Sequence, residues 1–115
     1  LEDYLDHIRV AIERCHRYVE DMDEGEVLAD EKTQDAVIRT IEVIGEASNA
    51  IIKRYPEVAR RYPRIPLGIA YEMRNAVAHG YFNVDLNTVW RTVQHDLPEL
   101  LRDVIALLEN LDATN

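Results

Sequence analysis

Cysteine, glycine, proline and the bulkiest aromatics are scarce in this 115-residue chain, which has one Cys, four Gly, four Pro, one Trp and one Phe. The lone thiol, Cys15, excludes an internal disulfide and a secreted cystine framework, and favours a reducing compartment. No apolar run approaches the ~18 residues of a membrane span. The opening Leu1-Glu2-Asp3-Tyr4 lacks the basic flank and apolar stretch of a signal peptide. The expectation is therefore a cytoplasmic protein without membrane association. No cluster of His, Cys, Asp and Glu has metal-ligand spacing, so neither metal nor cofactor is expected. Neither an alternating strand pattern nor an internal repeat occurs. What is present is 47% hydrophobic and 30% charged residues, enough apolar surface to exclude disorder. The length predicts one domain over 1–115.

Basic residues are outnumbered, 13 to 22, for a net charge of −9. That balance excludes broad electrostatic binding of nucleic acid. It is unevenly spread. Residues 1–31 sum to −8, residues 32–64 to +3 and residues 65–115 to −4. Most of the basic excess is Lys53, Arg54, Arg60, Arg61 and Arg64, opposed in that stretch by Glu57 alone. It reads either as a solvated helix–turn segment or as a local phosphate-binding patch that selects its polyanion by geometry.

Apolar residues recur at three- and four-residue steps along nearly the whole chain, the mark of amphipathic helices. Leu1 to Met22 forms one stripe that includes Cys15, which predicts a packed thiol; Gly25 is expected to end this helix. His7 and His16 read as surface or boundary residues. A second helix is predicted from about Asp30–Lys32 to Tyr55, with Gly45, Ala47 and Ser48 small enough to admit another helix. Its polar line of Asp35, Arg39, Glu42, Glu46, Asn49 and Lys53 reads as a salt-bridged face. Pro56 suits the first turn of a short helix over 57–62. A third long helix is predicted from Leu67 to about His79, with Gly80 as its C-terminal cap. A last helix follows an N-cap at Asp85. Its stripe from Leu86 to Leu111 passes Pro98 in phase, and the capping-box spacing of Asp96 and Glu99 predicts a restart there. The fold class is all-α, an up-and-down bundle of four to five helices.

Chemistry concentrates in Met73-Arg74-Asn75-Ala76-Val77-Ala78-His79-Gly80-Tyr81-Phe82. An Arg five residues before a His is weak evidence, since about 0.4 such pairs are expected by chance at this composition. Geometry adds to it. Asn75 and His79 lie one helical turn apart on one face, where the amide orients the imidazole. Arg74 and His79 stand about 140° apart and converge only if the helix end unwinds or a two-fold partner supplies the complement. Gly68, Ala70 and Ala78 are small enough for such a close contact between copies. A guanidinium grips phosphate through paired hydrogen bonds. An imidazole moves protons near neutrality. Together they suit metal-independent RNA cleavage by the neighbouring 2′-hydroxyl. The plain alternative is that both are surface or capping residues.

The wider context resembles the HEPN superfamily and, within it, the HepT-like ribonuclease toxins. The hallmark R-x-x-x-x-H-x-Y is present as Arg74, His79 and Tyr81. Ala36-Val37-Ile38-Arg39, Ile44-Gly45-Glu46-Ala47, Ile65-Pro66, Val89-Trp90 and Leu97-Pro98 follow the family's order. Leu67 departs from it, standing where relatives usually carry Trp. The resemblance implies a HEPN helical bundle, a homodimer with Arg74 and His79 meeting in a cleft, and a metal-independent endoribonuclease toxin of a toxin–antitoxin pair. It further implies a minimal nucleotidyltransferase antitoxin that transfers AMP to Tyr81. On this reading Asn75 orients His79, Glu46 and Arg39 support the cleft, and the 53–64 patch guides RNA. Two rival readings are a non-catalytic RNA- or nucleotide-binding partner of a nucleotidyltransferase, and a plain helical dimerisation adaptor.

Overall fold

The computed structural model describes residues 1–68, 70–72, 74 and 86–114. Among them every regular element is helical. The first long helix, α1 (Glu2–Val19), buries Leu5, Ile8, Ala11, Ile12, Cys15 and Val19 along one stripe. Its opposite face is held by Arg9, which bonds Asp6 at 2.6 Å and Glu13 at 3.1 Å. The short α2 (Glu24–Ala29) leads into α3 (Glu31–Arg54), the longest element at 24 residues. Next come α4 (Pro56–Arg61) and a helical segment α5, described at 67, 68, 70–72 and 74. The chain ends in α6 (Leu86–Arg91), a π turn (Thr92–Asp96) and α7 (Leu97–Thr114).

Contacts at the helix ends set the directions. Tyr4, at the start of α1, lies under Arg54 at the end of α3. Met22, just past α1, meets Thr33 at the start of α3. The two helices are therefore antiparallel. Leu111, near the end of α7, shares a surface hollow with Leu1, Glu2 and Asp3, so α7 is antiparallel to α1 as well. Between them Leu5, Ile8, Ile12, Val37, Ile41, Ile44, Val93, Leu97, Leu100 and Val104 form a dry core, each less than 2% exposed. The expected up-and-down helical bundle is the observed fold. Cys15 is fully buried in it, and desolvation pushes its thiol pKa up, away from any nucleophilic role. Leu67, the departure from the family pattern, is a core residue at 2% exposure.

Two boundaries differ from the periodic reading. Gly25 does not end the first helix; α1 stops at Val19 and Gly25 lies inside α2. The reason is a capping box. Asp23 accepts from the Glu26 N–H at 2.8 Å, and the Glu26 carboxylate accepts from the Asp23 N–H at 3.2 Å. Those bonds start a new helix before the glycine. Nor does the last helix restart at Asp96. It runs on through a π turn in which the Leu97 N–H donates to the Thr92 carbonyl, five residues back. Val89, Val93 and Leu97 all stay buried through this turn, and the chain continues past Pro98 as helix.

Asp30 caps α3, accepting from the Lys32 and Thr33 N–H groups and from the Thr33 hydroxyl at 2.9 Å. The Thr33 hydroxyl, then its N–H, hold the Asp30 carboxyl pKa below its ordinary value. A lowered folded value means stability that is fully present above the unfolded pKa of about 3.9 and lost as pH falls through the folded one. Asp30→Ala is expected to lower the melting temperature at pH 7 by a few degrees. Asp30→Asn keeps an acceptor and should flatten the acid limb of the melting-temperature–pH curve. An unchanged acid limb in Asp30→Asn contradicts the role given to this carboxylate.

Candidate functional site

The contact that places Arg74 is made by a residue with no side chain. Gly45 lies buried in mid-α3, and α5 crosses directly over it. A Cβ built on Gly45 would overlap the Arg74 Cβ, stand 2.7 Å from its Cγ and lie 3.2 Å from the Ala70 carbonyl oxygen. The expected close approach at the small residues of α3 is thus present, and α5 is the helix that uses it. Ala70, expected at a contact between copies, is instead buried within this one at 1% exposure; Gly68 has nothing within 4 Å of a built Cβ.

Glu46 follows Gly45 and turns its carboxylate toward the arriving guanidinium. Arg74 Nη2 and Glu46 Oε1 are 3.9 Å apart, with the arginine side chain 31% exposed and the glutamate 55%. The pair is a rim contact, weak as a source of stability. Its value is directional, because it holds a half-buried cation at the surface of the bundle. Glu46 is thus the member of its polar line that faces Arg74.

Arg39 lies two turns before Glu46 and pairs with Glu42 of its own helix at 3.3 Å. It lines the groove between α1 and α3 rather than meeting Arg74. The widest part of that groove holds about 400 Å³, walled by His7, Arg14, Tyr18, Arg39, Thr40 and Val43 among others. A smaller hollow of about 200 Å³ adjoins it, lined by Tyr4, His7, Val43, Glu46 and Ala47. His7 and Val43 line both, so the two adjoin, and the smaller is walled by Glu46, the residue that faces Arg74. His7 reads as an ordinary surface residue in the sequence, and only the α1–α3 pairing gives it this position.

The basic residues of 53–64 are all exposed, but they do not face one way. Arg54 stacks on Tyr4 of α1, with its guanidinium carbon 5.6 Å from the ring centre. Arg61 and Arg64 line a separate hollow of about 350 Å³ against Asp103 and Asn110 of α7. Lys53 and Arg60 enter neither hollow. Asn75, His79 and Tyr81 lie outside the described residues, as do Gly80 and Asp85.

The sequence profile of the Ribonuclease HepT-like family matches residues 8–107, a span that takes in Gly45, Glu46, Arg74 and the whole 73–82 segment. The chain belongs to the HepT-like ribonuclease family. A Thermococcus cleftensis protein named "Probable ribonuclease HepT" is 40% identical to this HepT-like chain over 99 residues, 86% of the chain and 87% of the relative. A Methanocaldococcus jannaschii protein, named a gamma-glutamylcyclotransferase and candidate RNase, is 40% identical over 110 residues. The HepT-like chain spans 48% of that relative's length. A candidate RNase of the same organism is 36% identical over 95 residues, 83% of the chain and 79% of the relative. No solved structure matches at a significant level. Among the described residues no helix is long and apolar enough to cross a membrane, and no group of His, Cys, Asp and Glu is placed to hold a metal ion.

Proposed function

We propose that this HepT-like chain is a metal-independent endoribonuclease, the toxin of a toxin–antitoxin pair. The observation that carries the reading is the seating of Arg74: a half-exposed guanidinium fixed over Gly45 and faced by Glu46, inside the span matched by a ribonuclease family. Arg74 grips the scissile phosphate through paired hydrogen bonds and stabilises the extra negative charge of the transition state. His79 carries the proton. In a two-fold dimer one His79 takes the proton of the 2′-hydroxyl as its oxygen bonds to phosphorus. The other gives a proton to the 5′-oxygen as its bond to phosphorus breaks. The products are a 2′,3′-cyclic phosphate and a 5′-hydroxyl end. Asn75, four residues before His79 in sequence, orients the imidazole.

Tyr81 is the position for AMP transfer by a minimal nucleotidyltransferase antitoxin. A phosphodiester on this tyrosine would add negative charge at the RNA-binding cleft of this reading and repel incoming RNA. The test is cleavage of a labelled single-stranded RNA with EDTA present, with product ends analysed. Cyclic phosphate ends and activity undiminished by EDTA are expected. A strict metal requirement, or cleavage untouched in both Arg74→Ala and His79→Ala, removes the proposal. Tyr81→Phe is expected to retain cleavage within a few-fold and to lose all incorporation of label from ATP when the transferase is added. Continued labelling of Tyr81→Phe would place the modification elsewhere.

A further inference from the structure

The α1–α3 groove stands out by its charge. Residues 1–31 sum to −8, yet none of the side chains lining the widest part of the groove is acidic. Arg14 and Arg39 face it from opposite helices, with His7 toward one end and Tyr18 toward the other. Tyr18 is 41% exposed, so its ring is open to solvent at the groove's edge. Among the described residues Arg14 forms no ion pair. Arg39 is held by Glu42 through one Nη at 3.3 Å and keeps 66% of its side chain exposed, so its remaining N–H groups stay open. The groove also has a direction. Seven helical residues separate Arg39 from Glu46, a rise of about 10 Å, and Glu46, which faces Arg74, walls the adjoining hollow.

We infer that this groove binds the RNA strand flanking the scissile linkage, with Arg14 and Arg39 on its backbone phosphates and the Tyr18 ring under a base. The inference rests on the ribonuclease reading for where the strand is cut. It names a subsite which that reading does not contain, and it moves the main phosphate contacts away from the 53–64 residues. It explains how so acidic a chain holds a polyanion. Bulk attraction is absent, so the strand is held only where a trough with no acidic side chain lining its widest part presents cations from two facing helices. A ring at the far end adds affinity without demanding a sequence, since every base has a π-face.

The test is binding of a labelled single-stranded oligonucleotide with 2′-O-methyl riboses, which no 2′-hydroxyl can cleave, read by anisotropy from low to moderate salt. For a single strand each phosphate contact contributes about 0.7 to the slope of log K against log salt. The double variant Arg14→Ala/Arg39→Ala is expected to bind at least tenfold more weakly, with the slope reduced by about 1.4. Tyr18→Ala is expected to weaken binding several-fold with no change of slope. Arg91→Ala/Arg102→Ala removes equal charge from α6 and α7 and should leave the slope unchanged. Equal losses in the two double variants, or an unaltered slope in Arg14→Ala/Arg39→Ala, overturn the inference. So does sedimentation showing that Arg14→Ala/Arg39→Ala separates a dimer, which would make the groove an interface between copies. Uncleavable-strand binding is independent of chemistry. Wild-type protein that binds with the expected slope but never cuts RNA defeats the ribonuclease reading and leaves the groove standing. A protein that cuts with the groove arginines removed and the slope unmoved does the reverse.

Discussion

Arg74→Ala and His79→Ala are each expected to lower the rate of RNA cleavage by about 10²–10⁴-fold, the range for losing a charge-stabilising donor or a proton-transfer group. On the proposed mechanism the two losses differ in kind. Alanine at 74 removes the cation that neutralises the phosphorane-like charge, so substrate affinity and turnover both fall. Alanine at 79 removes proton transfer and leaves the guanidinium in place, so turnover falls with little change in affinity. Arg74→Lys keeps a positive charge but not the planar fork, and should recover only a small part of the rate. The Arg74 Cβ and Cγ are what pack over Gly45, and alanine keeps the first of these. Arg74→Ala is therefore expected to fold, with a helical spectrum like that of the wild type. Single-turnover cleavage beside circular dichroism separates lost chemistry from lost structure. Cleavage within a few-fold of wild type in either alanine variant contradicts the assignment.

Gly45→Ala carries the largest expected structural effect. In an exposed helix interior this change gains about 1 kcal/mol of helix propensity. Here the added methyl overlaps the Arg74 Cβ and lies 2.7 Å from its Cγ, atoms that move only if α5 moves. Overpacking of this kind costs about 1–3 kcal/mol, and no flexible side-chain end is available to yield. The overlap at the Arg74 Cβ, which no rotamer change relieves, puts the cost at the upper end of that range, so a net loss of about 2 kcal/mol remains, a drop in melting temperature of roughly 10 °C for a domain of this size. Because α5 carries Arg74, the same variant should cut RNA far more slowly even at temperatures where it stays folded. Gly68→Ala is the control. Nothing lies within 4 Å of a Cβ there, so the change should raise stability by about 0.4–1 kcal/mol. A Gly45→Ala protein as stable and as active as wild type shows that α5 does not rest on that glycine.

Much of the architecture was legible because its signals are local. A stripe of apolar residues, an Asp before a helix and a proline in a first turn act over one or two turns of chain. From them α3, α4 and the start of α1 follow close to their observed bounds, as does the burial of Cys15. The failures were local as well, decided by competing bonds. Asp23 and Glu26 satisfied each other before Gly25 could act as a cap. Ahead of Pro98 the helix widened into a π turn instead of breaking, and Leu97 and Leu100 stay in the core.

Residue order and side-chain chemistry alone determined that the chain is helical, that its thiol is structural and that Arg74 and His79 are the residues to suspect. Tertiary structure decided what those residues meet. It brought Gly45 against Arg74 across 29 positions of chain, turned Glu46 from a solvated face toward a guanidinium, and lined Arg14, His7 and Arg39 along one trough. Periodicity records which face of a helix is dry, whereas close approach depends on which two faces are pressed together and at what register. That choice is made by packing many side chains at once, and no short stretch of sequence contains it.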